Sequence, residues 1–423
     1  MTDLRIERIG VDGDGVALLD GKPVYIPFVL PGELVSVRLE GKRGLGQAGD
    51  GTVLEPSPDR AAPPCPHFGP CGGCALQHWA DDKYAEWKSN QVRDALRRAG
   101  FADATPAPLV RTAPGTRRRV ELAAKRMPSG VALGLHARNE STVVDLADCA
   151  VLHPTLVGLV AALRDLLRSI DGLRKEGSVL VNLLTSGPDI LLRLDGPLSM
   201  PDRVKIAAFA DRWGAPRICT SRGTGVPETA AQLRPARTML TGLEVVPPPG
   251  AFLQASATGE AAIIAAMIAG LPKKLSRKSR IAELYAGCGS LTFPLSEVGR
   301  VDAFEGEIGA STALRNAANV SGLSGRIAVM QRDLTRQPLA AKELAPYAAV
   351  VLDPPHGGAA VQIEQIAAAG VKRVVYVSCN PSTLGRDAAV LKTAGYALLS
   401  TTPIDQFLWS ARIESVSVFE KVK

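Results

Sequence analysis

The sequence predicts a multi-domain α/β protein: a small β-barrel at the N-terminus, a central α+β domain and a C-terminal doubly wound, Rossmann-like sheet. Three observations predict it. From residue 246 onward, helical and strand-like stretches alternate, the pattern of a parallel sheet covered on both faces. Residues 1–58 hold short apolar runs between Asp-Gly pairs, which suits a small barrel. The length of 423 residues exceeds one ordinary domain.

In the barrel region, Asp-Gly turns are expected at Asp12-Gly13, Asp14-Gly15 and Asp20-Gly21, with the runs VALL, PVYIPFV and ELVSVRLE between and after them. PSPDRAAPP follows as a stiff link. The central domain, 59–245, opens on a glycine- and cysteine-rich loop, CPHFGPCGGCALQH. Tyr84, Trp87, Val92, Ala95 and Leu96 then share about half of a helical wheel, so a helix is expected from Asp81 to Ala99, stopped by Gly100. Mixed strands and helices fill the remainder of this domain. In the third domain, 246–423, the strands RIAELYAG, RVDAFEGE, IAVMQRD, YAAVVLDPP and VKRVVYVSC alternate with helices.

Hydrophobic residues make up 46% and charged residues 22%, ordinary for a soluble globular protein. No apolar run is long enough to span a membrane, and MTDLRIERIG lacks a secretory core, so a cytoplasmic location is expected. A net charge of +7 permits a polyanionic partner, while 4% aromatics argue against a broad base-stacking surface. Seven cysteines without a leader make disulfides a poor explanation. Cys65, Cys71 and Cys74 crowd into ten residues, and Cys149 supplies a fourth thiol downstream. Zinc and a [4Fe–4S] cluster both accept four thiolates, and spacing leaves both open.

AELYAGCGSLTFPL reads as a strand, a Gly-x-Gly turn (Gly287, Gly289) and a helix start. Such glycines let backbone N–H groups approach a ligand at the carboxyl end of a sheet. Glu305 ends the next strand, where a carboxylate can accept ribose hydroxyls. Thr292 stands where a dinucleotide fingerprint needs its last glycine, so E-x-x-x-G-x-G fits S-adenosylmethionine (SAM) better than a nicotinamide cofactor. Asp333, Asp353 and Cys379 end later strands at the same edge. Singly, each aspartate reads equally as a helix cap and Cys379 as a core thiol. SCNPSTLGRD is more pointed: a buried strand carries a thiol to its end, and Asn380-Pro381 turns the chain away. Glu414 opens IESVSVFE, an alternating terminal strand.

Together these stretches resemble the TrmA/RlmD-like family of SAM-dependent RNA uracil-5-methyltransferases. SCNPSTLGRD looks like the family's catalytic cysteine motif and CPHFGPCGGCALQH like its cluster loop. FLQASATGE looks like its Gln-bearing cofactor motif and LDPPHGG like its D-P-P-R motif. LPGELVSVRL is similar to part of a TRAM domain, an RNA-binding module of TRAM/OB-like barrel form. The resemblance implies a class I SAM methyltransferase fold at the C-terminus, with Cys379 as nucleophile and Glu414 as general base. It places Gln254, Tyr285, Ser290, Glu305, Asp333 and Asp353 on SAM beside Gly287 and Gly289. It implies that Cys65, Cys71, Cys74 and Cys149 ligate a [4Fe–4S] cluster, and that the helix after the cluster loop packs on the catalytic domain. His356, Ser256, Arg412 and Ser290 depart from the family's usual Arg, Asn, His and Asn.

The implied chemistry needs these groups. Uracil C5 is a poor nucleophile; a thiolate adding to C6 makes it electron-rich, and a base must later remove the C5 proton. The barrel and the cysteines favour 23S ribosomal RNA over tRNA as substrate, and a monomer is expected. The alternatives are a tRNA uracil-5-methyltransferase, a non-catalytic cluster-bearing RNA-binding protein, and a zinc protein of the same fold acting on DNA or protein. Two basic runs, Arg117–Arg119 and Lys273–Arg280, are candidates to hold phosphates or are plain surface charge.

Overall fold

In the computed structural model, which describes residues 1–40 and 45–422, the chain builds three large sheets. The first has six strands in the order Thr2–Arg5, Leu34–Glu40, Leu45–Glu55, Lys22–Ile26, Gly15–Leu19 and Arg8–Ile9. Its two outermost strands are joined by only Ile6 and Glu7, so the sheet curls on itself around Ile6, Val24, Ile26 and Val35. Asp20 and Gly21 stand at φ 50° and 75°, the left-handed pair a two-residue hairpin requires. The turn expected at Asp14-Gly15 is not there. Gly15 already lies in a strand, where a Cβ would stand 2.4 Å from Val29 Cγ2, so close packing explains that glycine. Residues 41–44 of the expected barrel lie outside the described residues. The proline-rich link is fastened to the sheet: the buried Glu33 carboxylate accepts from Arg60 at 2.6 and 2.7 Å and from the Ser57 amide.

The second sheet has seven strands, from Val143–Asp145 at one edge to Glu228–Gln232 at the other. Helices Pro154–Ser169 and Met200–Trp213 cover one face, and Leu156, Leu163, Leu167, Ile206 and Ala210 fill the interface.

The third sheet carries the site. Its order is Ile327–Gln331, Arg300–Glu305, Arg280–Leu284, Ala349–Leu352, Arg373–Ser378, Glu414–Lys421, Tyr396–Asp405 and Val110–Arg111. The first five are parallel, and the hairpin Tyr396–Asp405/Glu414–Lys421 continues them antiparallel. The strand Arg373–Ser378 shows the period of two: Val375 and Val377 meet Ile263 and Met267 of helix Ala257–Gly270 on one side. Val374 and Tyr376 meet Leu384 and Leu391 of helix Pro381–Thr393 on the other. Two pieces of earlier chain join this layer. Helix Asp81–Arg98 adds Val92 and Leu96 to the second core, and Val110–Arg111 pairs with the end of Tyr396–Asp405. Among the described residues, no helix is long and apolar enough to cross a membrane.

Candidate active site and thiol cavity

Strand register assembles the centre of the site. Arg373–Ser378 runs antiparallel to Glu414–Lys421, with Arg373 opposite Glu420 and Ser378 opposite Ser415. Cys379 and Glu414 are the next residues beyond that last pair, and the Glu414 charge acts on the Cys379 thiol. Asn380 then ends the strand direction: its side chain accepts from the Ser382 amide at 3.0 Å, capping the helix that Pro381 opens. Its amide nitrogen donates to the His356 carbonyl at 3.1 Å, which ties the thiol turn to the turn after Asp353.

A buried amide relay links the polar groups. Gln254 Nε2 donates to Asp353 Oδ2 at 3.0 Å, and Gln406 Nε2 donates to Gln254 Oε1 at 2.9 Å and to Glu414 Oε2 at 2.8 Å. Glu414 Oε1 makes no hydrogen bond among the described residues. Burial pushes Asp353 up to about 7, and burial together with the Asp353 charge holds Glu414 well above the usual carboxylate range. Burial, then Glu414 and Asp353, push the Cys379 thiol up to about 12, while the Arg412 guanidinium pulls the other way. Gln406 had no signal in the sequence; it is an amide in a loop.

The glycine turn lies beside this relay. Tyr285 and Gly287 adopt φ 65° and 57°, and a Cβ on Gly287 would meet nothing within 4 Å, so that backbone borders open space. The turn is held by Glu305, whose oxygens accept from the amides of Gly287 and Glu307, both at 2.7 Å. Gly289 follows against Phe293 and Leu314, and the half-buried Ser290 leads into helix Thr292–Val298. Glu283, the E of E-x-x-x-G-x-G, is buried, and neither carboxyl oxygen makes a hydrogen bond among the described residues. Burial pushes it up to about 8. With only the Thr292 hydroxyl close to it, this carboxyl has acceptor capacity to spare, which suits a bound ammonium group. Glu283 stood in the motif but was not singled out as a site residue. Asp333 is placed differently: it is exposed, two residues past its strand, and accepts from the amides of Thr335 and Arg336.

Cys65, Cys71, Cys74 and Cys149 line one cavity of about 280 Å³. Burial and the other three thiols push Cys74 up to about 12. Among the described residues, no group of three or more His, Cys, Asp or Glu is placed to hold a metal ion; the four cysteines line a shared space. Arg117 and Arg119 share the wall, a position suited to balancing thiolate charge. The first basic run therefore lines this cavity, and its middle member, Arg118, pairs with Glu260 at 2.9 Å and holds the Gln254 carbonyl at 3.0 Å. The second run, Lys273–Arg280, leads up to strand Arg280–Leu284 and ends on its first residue, so it lies at the sheet edge opposite the thiol.

Cys379 opens into a groove of about 1260 Å³. Its walls come from the catalytic turns (His356, Arg412), helix Asp81–Arg98 (Trp87, Gln91), the second sheet (His136, Arg138) and the first (Arg8, Ile9). A volume of that size, lined by charged and polar side chains, leaves room for a nucleotide beside Cys379.

The family model for tRNA (Uracil-5-)-methyltransferase matches residues 250–422. A Caulobacter vibrioides protein named an uncharacterized RNA methyltransferase is 40% identical over 100% of each chain. The 23S rRNA (uracil(1939)-C(5))-methyltransferase RlmD of Pectobacterium atrosepticum is 33% identical over 96% of this chain and 91% of its own. The solved structure of Pyrococcus abyssi tRNA (uracil-54, C5)-methyltransferase in complex with S-adenosyl-L-homocysteine matches with a TM-score of 0.72 over 99% of this chain and 100% of that one. At 18% identity, that likeness concerns the fold. With these relatives aligned along nearly its whole length, the chain belongs to the RNA (uracil-5-)-methyltransferase family.

Proposed function

We propose that this protein transfers the methyl group of SAM to C5 of a uridine in 23S ribosomal RNA through a covalent bond between Cys379 and C6. The observation that carries the reading is Cys379 opening into a large groove with the buried Glu414 carboxyl acting on its thiol from behind, one Glu414 oxygen making no hydrogen bond among the described residues.

The Cys379 thiol gives its proton to solvent in the groove as its sulfur adds to C6, and the C5=C6 electrons move onto the O4 carbonyl to make an enolate. SAM held at the glycine turn would supply the methyl to C5, its sulfur keeping the electron pair of the broken bond. Glu414, ionised for this step, takes the C5 proton at Oε1; the C5–H electrons re-form C5=C6, and the electrons of the Cys379–C6 bond leave with the sulfur. Gln406 holds the other Glu414 oxygen, and Gln254 orients Asp353. Glu283, Asp353, Glu305, Tyr285, Gly287, Gly289 and Ser290 border the donor, and Asp333 sits at its margin.

Cys65, Cys71, Cys74 and Cys149 hold a [4Fe–4S] cluster in this reading. Four cysteines that share one cavity with Arg117 and Arg119 suit a negatively charged thiolate-bound group. The N-terminal sheet serves as a TRAM domain, the protein works as a cytoplasmic monomer, and the 33% identical RlmD relative favours 23S RNA.

The test is RNA carrying 5-fluorouridine at the target. With SAM present, wild-type protein should form an adduct that survives denaturation, with Cys379 as the linked residue. No adduct would overturn the reading. Mapping 5-methyluridine in 23S RNA and tRNA from a strain lacking the protein decides the substrate, since the lost position should be in 23S RNA.

A further inference from the structure

We propose that Lys88 is a positioning residue for the proton-removal step: from the helix Asp81–Arg98 it fixes the loop 406–413, and through that loop the Glu414 carboxyl. The proposal rests on the reading above, with Cys379 as nucleophile and Glu414 as base.

Lys88 is fully buried, and its ammonium donates to Asp405 Oδ1 at 2.9 Å, to the Phe407 carbonyl at 3.3 Å and to the Arg412 carbonyl. All three donors are therefore used. The acceptors belong to both limbs of one loop. Asp405 ends the strand Tyr396–Asp405, and Arg412 stands two residues before Glu414. Two neighbours on the same helical face, at i−4 and i+3, complete the grip. The Tyr84 hydroxyl donates to Asp405 Oδ2 at 2.6 Å and accepts from the Trp409 amide at 2.7 Å. Gln91 Nε2 donates to the Ala411 carbonyl at 3.2 Å.

The consequence falls on Gln406. Its flanking residues, Asp405 and Phe407, are both pinned by Lys88. Gln406 in turn holds Glu414 Oε2 at 2.8 Å, which leaves Oε1 as the oxygen for the proton. An apolar side chain of similar length would fill the same space without desolvating a charge. It would not bind three acceptors on two limbs of a loop.

The step affected follows from the chemistry. Forming the Cys379–C6 bond and methylating C5 do not need Glu414. Breaking the adduct does, because the C5 proton must leave with its bonding electrons returning to C5=C6. A displaced Glu414 should therefore trap methylated RNA on the protein, even with ordinary uridine.

The experiment follows a single turnover of uridine RNA with SAM and measures the denaturation-stable protein–RNA adduct alongside released methylated RNA. Glu414→Gln is the reference and should accumulate adduct. Lys88→Met should form adduct at near the normal rate and release product about tenfold more slowly or worse, the loss of hydrogen bonds from a charged donor. Lys88→Arg should recover part of the release rate. Tyr84→Phe keeps the ring, removes two of the holds and should slow release in the same sense, which leaves the proposal testable if Lys88→Met does not fold. If Glu414→Gln accumulates adduct while Lys88→Met and Tyr84→Phe slow adduct formation and release in parallel, Lys88 is only structural and the proposal fails. If Glu414→Gln accumulates none, the assignment of the base fails, and this inference with it.

Discussion

At the scale of single residues, the site is defined by which protons it holds at rest. Three acidic groups share one buried site, and burial pushes each toward its neutral form, so Glu414 must shed its own proton before it can take one from C5. Cys379 therefore rests as a thiol, and Cys379→Ala should lower kcat by at least about a thousandfold while SAM still binds, as measured by methyl transfer and by calorimetry. Asp353 gives a pH prediction. Its folded pKa of about 7 lies above the ordinary aspartate value of 3.8. Near pH 3 the carboxyl is protonated in both folded and unfolded chains, and its contribution to stability is fully present. As pH rises through about 7 the folded protein must hold a buried charge, and that contribution is lost. Asp353→Asn should thus change the melting temperature of the ligand-free protein little near pH 3 and raise it above pH 7. The gain is at most about 4 kcal/mol, trimmed by the residue's partial exposure. Methyl transfer should fall in the same variant. A melting curve with no pH-dependent gain would mean that Asp353 is solvated.

At the scale of elements, the carboxyl edge of the parallel sheet shows what a sequence can display. Buried parallel strands read as runs of β-branched residues, so Glu305, Asp353 and Cys379 stood out as polar groups at the ends of such runs. Gly287 was legible because a turn that borders open space at positive φ favours glycine. Gly287→Ala should cost about 1 kcal/mol of stability, since its Cβ meets nothing, yet weaken SAM binding measurably by calorimetry. Unchanged affinity would place the donor elsewhere. Other parts were not legible. Lys88 and Asp405 are 317 residues apart, and no local pattern announces a pair at that distance. Val110–Arg111 is a two-residue strand, too short to show any period. Asp14-Gly15 has the sequence of a turn, but packing against Val29 decided its conformation. The four cysteines were visible as a set, whereas the cavity between them exists only once residue 149 folds back beside residues 65–74.

At the scale of the whole molecule, the groove is the product of all three sheets, and Arg138 fastens two of them by pairing with Asp14 at 2.8 Å and bonding the Asp12 carbonyl at 3.0 Å. Net charge alone does not say where RNA lies, because the basic residues are spread over opposite edges. Arg8, Lys83 and Arg98 line the groove, are exposed, and make no ion pair among the described residues. Lys273 and Lys274 are equally exposed but sit at the amino edge of the parallel sheet. Counterion release makes the distinction measurable: each phosphate contact removed should flatten the slope of log affinity against log salt by roughly 1. Arg8→Ala, Lys83→Ala and Arg98→Ala should each weaken binding of a target RNA fragment and each flatten that slope. Lys273→Ala with Lys274→Ala, which removes more charge, should do less than any one of them. If instead the double variant at 273 and 274 flattened the slope most, the RNA would wrap the far edge of the sheet, and the groove above Cys379 would admit only the target nucleotide.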